Sequence, residues 1–171
     1  MEQEALLLTI AQVAVTLAGF SGLVVAIRGD SPAAWHARDI WSLTWMFGTS
    51  LGALFLSLLP LLLTSFHLRD EVIWTSADFV LSIFVVFFSV AMKVWGHRLT
   101  KAGHPPRVRF FPSVARLLLI VSGLLAGAGV VGLFSQVRIG LFILGLIACL
   151  IVAALSLVVF LVVLARAARR S

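Results

Sequence analysis

Five stretches of nearly unbroken apolar sequence run along the chain, at 5–27, 41–66, 73–92, 117–135 and 140–165, each bounded by charged or turn-forming residues. A helix needs about 20 mostly apolar residues to cross about 30 Å of hydrocarbon. Every one of the stretches meets that length. Strands of a membrane barrel would be shorter and would alternate lipid-facing with polar positions. The pattern therefore predicts an all-α fold: a polytopic transmembrane helix bundle of five spans, with residues 1–171 forming a single transmembrane domain. Between the first two spans, Ser31 as N-cap and Pro32 at the first helical position start a helix. A short interfacial helix over about 32–40, running into the second span, is expected there.

Composition strengthens this reading. The chain is 61% hydrophobic and 12% charged, whereas a soluble domain is nearer half apolar and a quarter charged. The leader Glu2-Gln3-Glu4 is acidic where a signal peptide would be basic, so the first span is expected to stay in the protein.

Charge sets the expected orientation. If the loops alternate sides, one side holds Arg69 and Arg138 and the other holds the remaining eleven of the 13 basic residues. Basic residues near span ends resist translocation, so the richer side should be cytoplasmic, with the N-terminus outside and the C-terminus inside a bacterial-type inner membrane. Trp41, Trp45, Trp74 and Trp95 fall near predicted span ends, where indoles prefer to sit. The Lys93–Arg116 loop is the basic centre of the chain. Lys101, Arg107 and Arg109 are its candidate contacts for anionic lipid headgroups, each worth about 1 kcal/mol near the surface. Nucleic acid is not an expected partner, because nothing here scaffolds a folded basic surface for it.

Polar residues within the spans carry the candidate chemistry. Thr75, Asp78, Ser82 and Ser89 share one face of span three. Asp78 is the one carboxylate well inside a predicted span, and such a residue is a functional candidate by default. The plainer alternative is that it reaches the interface or caps a helix. Thr9, Gln12, Thr16 and Gly19 form a similar stripe on span one, with Glu2 close to that face. That stripe suits either interhelical hydrogen bonding or a polar path. Together these residues suggest a homo-oligomeric channel in which Gln12 and Thr16 face the Asp78 stripe and the carboxylates favour cations. The competing reading is a non-catalytic accessory or assembly subunit of a larger membrane complex. Pro60 predicts a kink in span two, since it removes a donor and crowds the carbonyl of Leu56.

Small residues mark predicted packing. Gly123, Gly127 and Gly132 in span four and Gly145 in span five suggest a tight hairpin between those spans. No enzyme activity, cofactor or metal is expected. Cys149 is the single cysteine, and His36, His67, His97 and His104 all fall in predicted loops. Gly19-Phe20-Ser21-Gly22 resembles the nucleophile signature of rhomboid-type intramembrane proteases over four residues only. Those enzymes need a histidine in another span to activate the serine, and no predicted span holds one. Gly19 and Gly22 are expected instead to allow close helix packing around Ser21.

The orientation has a direct test. In a Cys149→Ala background, an impermeant thiol reagent added outside should label Arg69→Cys and miss Lys101→Cys. The reverse pattern would invert the orientation.

Overall fold

The computed structural model describes residues 2–28, 36–105, 110–133 and 135–168. Within them lie five long helices: α1 (Glu2–Arg28), α2 (Ala37–Thr64), α3 (Asp70–Lys101), α4 (Phe111–Val130) and α5 (Arg138–Ala168), with a single 3-10 turn at Ser135–Val137 before α5. All five are long and apolar enough to cross a membrane, and no strand occurs among the described residues. The chain is thus a multi-pass membrane protein by length and composition.

α1, α3 and α5 overhang the apolar stretches that announce them at both ends, while α2 and α4 begin before theirs and stop short, at Thr64 and Val130. α3 has 32 residues, about 48 Å at 1.5 Å per residue, which exceeds the roughly 30 Å hydrocarbon core. Its last turns, from Lys93, were expected to belong to a loop. They remain helical because nothing in Lys93–Lys101 breaks a helix; hydropathy marks where lipid ends, not where hydrogen bonding ends. The connection to α4 shrinks to residues 102–110. The stop is Gly103, at φ +84°, a left-handed conformation that glycine adopts without a Cβ clash. His104 N–H bonds Leu99 O and Gly103 N–H bonds Thr100 O, a Schellman closure. Gly132, at φ +81°, ends α4 in the same way, with Leu133 N–H on Ala128 O and Gly132 N–H on Gly129 O. Gly132 is therefore a helix terminator, and a Cβ there would meet nothing within 4 Å.

The expected interfacial helix at 32–40 falls largely outside the described residues. Residues 37–40 are the first turn of α2 itself. Pro60 is buried inside α2, which continues through it to Thr64.

α2 and α5 are the central elements: α2 packs against α1, α3 and α5, and α5 touches all four other helices, while α4 packs on α3 and α5. The core around α2 is aromatic at one end: Trp45 meets Phe88 and Phe111 edge to face, with centroids 5.4 and 6.1 Å apart. Phe84 and Phe88 stack at 5.7 Å. These rings reach α2 because Gly48 and Gly52 leave space for them. A Cβ at Gly48 would run into the Phe88 ring and one at Gly52 into the Phe84 ring.

Span four's glycines are arranged otherwise than the sequence suggests. α4 and α5 do pack together. Yet a Cβ on Gly123 would lie 3.2 Å from Val85, and one on Gly127 would lie 3.3 Å from the Ser82 hydroxyl, both on α3. Gly145 of α5 likewise faces Leu81 of α3. The small residues of α4 and α5 seat α3 rather than each other. Chain neighbours need no close backbone approach to stay paired, whereas α3 has large side chains to lodge.

Replacing Gly52 by valine should lower thermal stability in mild detergent by about 1–3 kcal/mol, the usual cost of overpacking. Adding Phe84→Leu should recover part of that loss. An unchanged melting temperature in Gly52→Val would remove the ring from this face.

Candidate functional site

Among the described residues, each end of the bundle holds one buried arginine. Both need partners, because an ionised side chain within a membrane protein has no bulk water to solvate it.

At the end formed by the α2–α3 and α4–α5 turns, Arg138 opens α5 and is 9% exposed. Its Nη2 donates to Gly129 O at 2.7 Å, a second bond on a carbonyl that already accepts from Gly132 N–H at the end of α4. Its Nη1 donates to the Thr75 hydroxyl oxygen at 2.9 Å, and the Thr75 hydroxyl in turn donates to Glu71 O at 2.6 Å. Its Nε lies 3.6 Å from Asp78 Oδ2, an ion pair longer than a hydrogen bond. Asp78 is fully buried, and its oxygens accept no hydrogen bond among the described residues. The Asp78–Arg138 attraction is therefore charge with charge alone. Gly129 makes room for it, since a Cβ there would lie 2.8 Å from Oδ2.

This arrangement revises the expected polar path. Asp78 is not a solitary carboxylate, and its stripe is turned against neighbouring helices. Ser82 donates to Gly123 O of α4 at 3.0 Å. Ser89 is buried, with a hydroxyl that has no partner among the described residues. Gln12 and Thr16 do not face this stripe: both are exposed, on the outer surface of α1. The Thr16 hydroxyl is bonded to Gln12 O of its own helix at 2.9 Å. Gly19 and Gly22 are also exposed, with nothing within 4 Å of a Cβ, so they pack no helix within this chain. Ser21 is buried and donates to Ala18 O.

At the opposite end, Arg38 in the first turn of α2 is 5% exposed. Its Nε donates to His104 O at 2.7 Å, and one Nη donates to Thr100 Oγ1 at 2.7 Å and Gly96 O at 3.1 Å. The guanidinium also sits 5.1 Å from the Trp41 ring centroid, within cation–π range. Arg38 thereby ties α2 to the end of α3. Beside it opens a cavity of about 790 Å³ between α2, α3 and α4. Lys101 lines that cavity, while Arg107 and Arg109 lie outside the described residues.

Sequence reasoning treated Arg138 and Arg38 only as topology charges. The available signal for Arg138 was the cost of Asp78 itself: a carboxylate in a span needs a cation at its depth, and Arg138 and Arg69 were the basic residues assigned to that side. Gly48 and Gly52 were also overlooked, although they repeat the four-residue spacing noticed in α4.

Removing one member of the buried pair should be costly. Asp78→Leu should destabilise by about 3–5 kcal/mol, because Arg138 keeps its charge without a counter-ion. The double variant Asp78→Leu/Arg138→Met should be more stable than Asp78→Leu alone in detergent unfolding. Additive losses would show that the two side chains do not act as a pair. No protein-family model, curated protein or solved structure matches this chain.

Proposed function

We propose that the chain is a non-catalytic membrane protein that self-associates through α1, the joined α1 faces forming a cation-favouring polar path. One observation carries this reading. Gln12 lies near the middle of α1 on its exposed face, and its carboxamide has no hydrogen-bond partner among the described residues. An unsatisfied amide facing hydrocarbon is unfavourable. A second copy presenting the same amide satisfies both, because glutamine both donates and accepts. Such pairs between transmembrane helices contribute about 1 kcal/mol, roughly fivefold in association. Thr9, Thr16 and Gly19 extend the exposed face, and Glu2 lies seven residues before Thr9, at nearly the same angle. Glutamates repeated around a mouth attract cations. With Asp78 paired internally, Glu2 is the better source of any cation preference.

The accessory-subunit reading keeps support from a separate observation. Thr9 and Thr16 already donate to carbonyls of their own helix, Ala5 O at 2.8 Å and Gln12 O at 2.9 Å. A stripe so satisfied demands little water, and Gln12 is equally served by a helix of another protein.

The test separates these outcomes. In a Cys149→Ala background, Gln12→Cys should form a cross-linked dimer in native membranes, and Gln12→Leu should weaken self-association in the Cys149→Ala chain about fivefold. Cation-selective current from the purified parent in a planar bilayer would support the path. Cross-linking without current would leave a self-assembling subunit without a path. Absence of both would overturn self-association and favour a heterologous partner.

A further inference from the structure

The cavity beside Arg38 has a chemistry that α1 assembly does not use. Five cationic residues line it: Arg38 from α2, Lys93, Arg98 and Lys101 from the end of α3, and Arg116 from α4. Among the described residues its lining contains no carboxylate. Like charges gathered around one space repel unless an anion sits among them. Three helices bring these charges to one space, with Lys93, Arg98 and Lys101 exposed around it and Arg38 buried at its inner edge. Arg38 cannot swing away, since its Nε and one Nη are held by His104 O, Gly96 O and Thr100 Oγ1, all of them neutral oxygens.

The rest of the lining is apolar. Trp41, Trp45, Val90 and Met92 form part of the same wall. The Trp41 indole N–H is occupied by Met92 O at 3.2 Å, so that ring offers its hydrocarbon surface. Lys93 marks the level at which α3 leaves its apolar stretch, so charge and apolar wall meet where headgroups meet acyl chains. By the charge asymmetry of the loops this end is expected in the cytoplasmic leaflet, where anionic lipids concentrate.

We propose that this cavity is a binding site for a phosphate-bearing anionic headgroup, with the basic residues of α2, α3 and α4 around the phosphate and Trp41, Val90 and Met92 against the glycerol and upper acyl carbons. The shared chemistry is a phosphate ester. A membrane phospholipid supplies it together with an apolar tail for the lower wall; a soluble phosphate ester supplies it alone. The volume of about 790 Å³ accommodates a headgroup and its glycerol. The site differs from a diffuse basic loop in being built on helices, with Arg38 fixed at its inner edge.

The experiment uses the full chain in detergent, titrated with dioleoyl phosphatidylglycerol or dioleoyl phosphatidylcholine and read by native mass spectrometry. Glycerol 1-phosphate forms a third arm. The parent should bind phosphatidylglycerol at least tenfold more tightly than phosphatidylcholine. The variant Lys93→Gln/Arg98→Gln/Lys101→Gln should lose that preference. These three side chains are exposed, and Arg38 stays in place, so the fold should persist. Arg69→Gln, at the other end of α3, should bind like the parent. Tight glycerol 1-phosphate binding with no lipid preference would assign the site to a soluble phosphate ester. Equal binding of both lipids without glycerol phosphate binding, or full preference in the triple variant, would overturn the proposal.

Discussion

Two arginines buried in an apolar bundle have no bulk water to turn to, and the way each is satisfied organises its end of the molecule. Arg138 gathers the end of α4, the first turns of α3 and the start of α5 around one guanidinium. Arg38 does the same for the start of α2 and the end of α3. In both cases a planar cation with several donors bridges carbonyls and hydroxyls near the ends of different helices, some of which already accept a bond from their own helix. Lysine, with a compact ammonium, would not span those separations in the same way.

The middle of the bundle holds by different means. Helices in lipid gain little from hiding apolar surface, so close packing and interhelical hydrogen bonds have to hold them. Gly48 and Gly52 admit the rings of Phe88 and Phe84, while Gly123 and Gly127 admit Val85 and Ser82. α3 is therefore seated on both sides by glycines, in α2 and in α4. The Ser82 bond to Gly123 O becomes possible only at that close approach. The polar stripe of α3 has a structural use that accounts for Asp78, Thr75 and Ser82 without a pore.

Two surfaces are left over once the bundle is satisfied. The exposed face of α1 carries an amide with no internal partner, and the cavity beside Arg38 gathers positive charge with no carboxylate in its described lining. One asks for a hydrogen-bonding neighbour within the membrane and the other for an anion at its edge. They lie on separate elements, so the proposed assembly and the proposed headgroup recognition need not interfere.

Span number and helical class were legible in the sequence, because bilayer thickness and backbone hydrogen bonding in lipid leave a continuous apolar run few alternatives. Helix ends were less so. Hydropathy stops at Met92, but α3 continues to Lys101, and Gly103 stops it through its backbone rather than its polarity. Which face of a span is polar could also be read, since the 100° repeat of a helix is a property of one segment. What that face meets could not. Asp78 and Arg138 are 60 residues apart in the chain, and Gly127 has the same spacing pattern whether it faces α5 or α3. Those pairings depend on how helices rotate about their axes when all five close together. That rotation is decided by every interface at once: rings lodged against glycines, an arginine reaching a carboxylate, and α1 left with Gln12 turned outward.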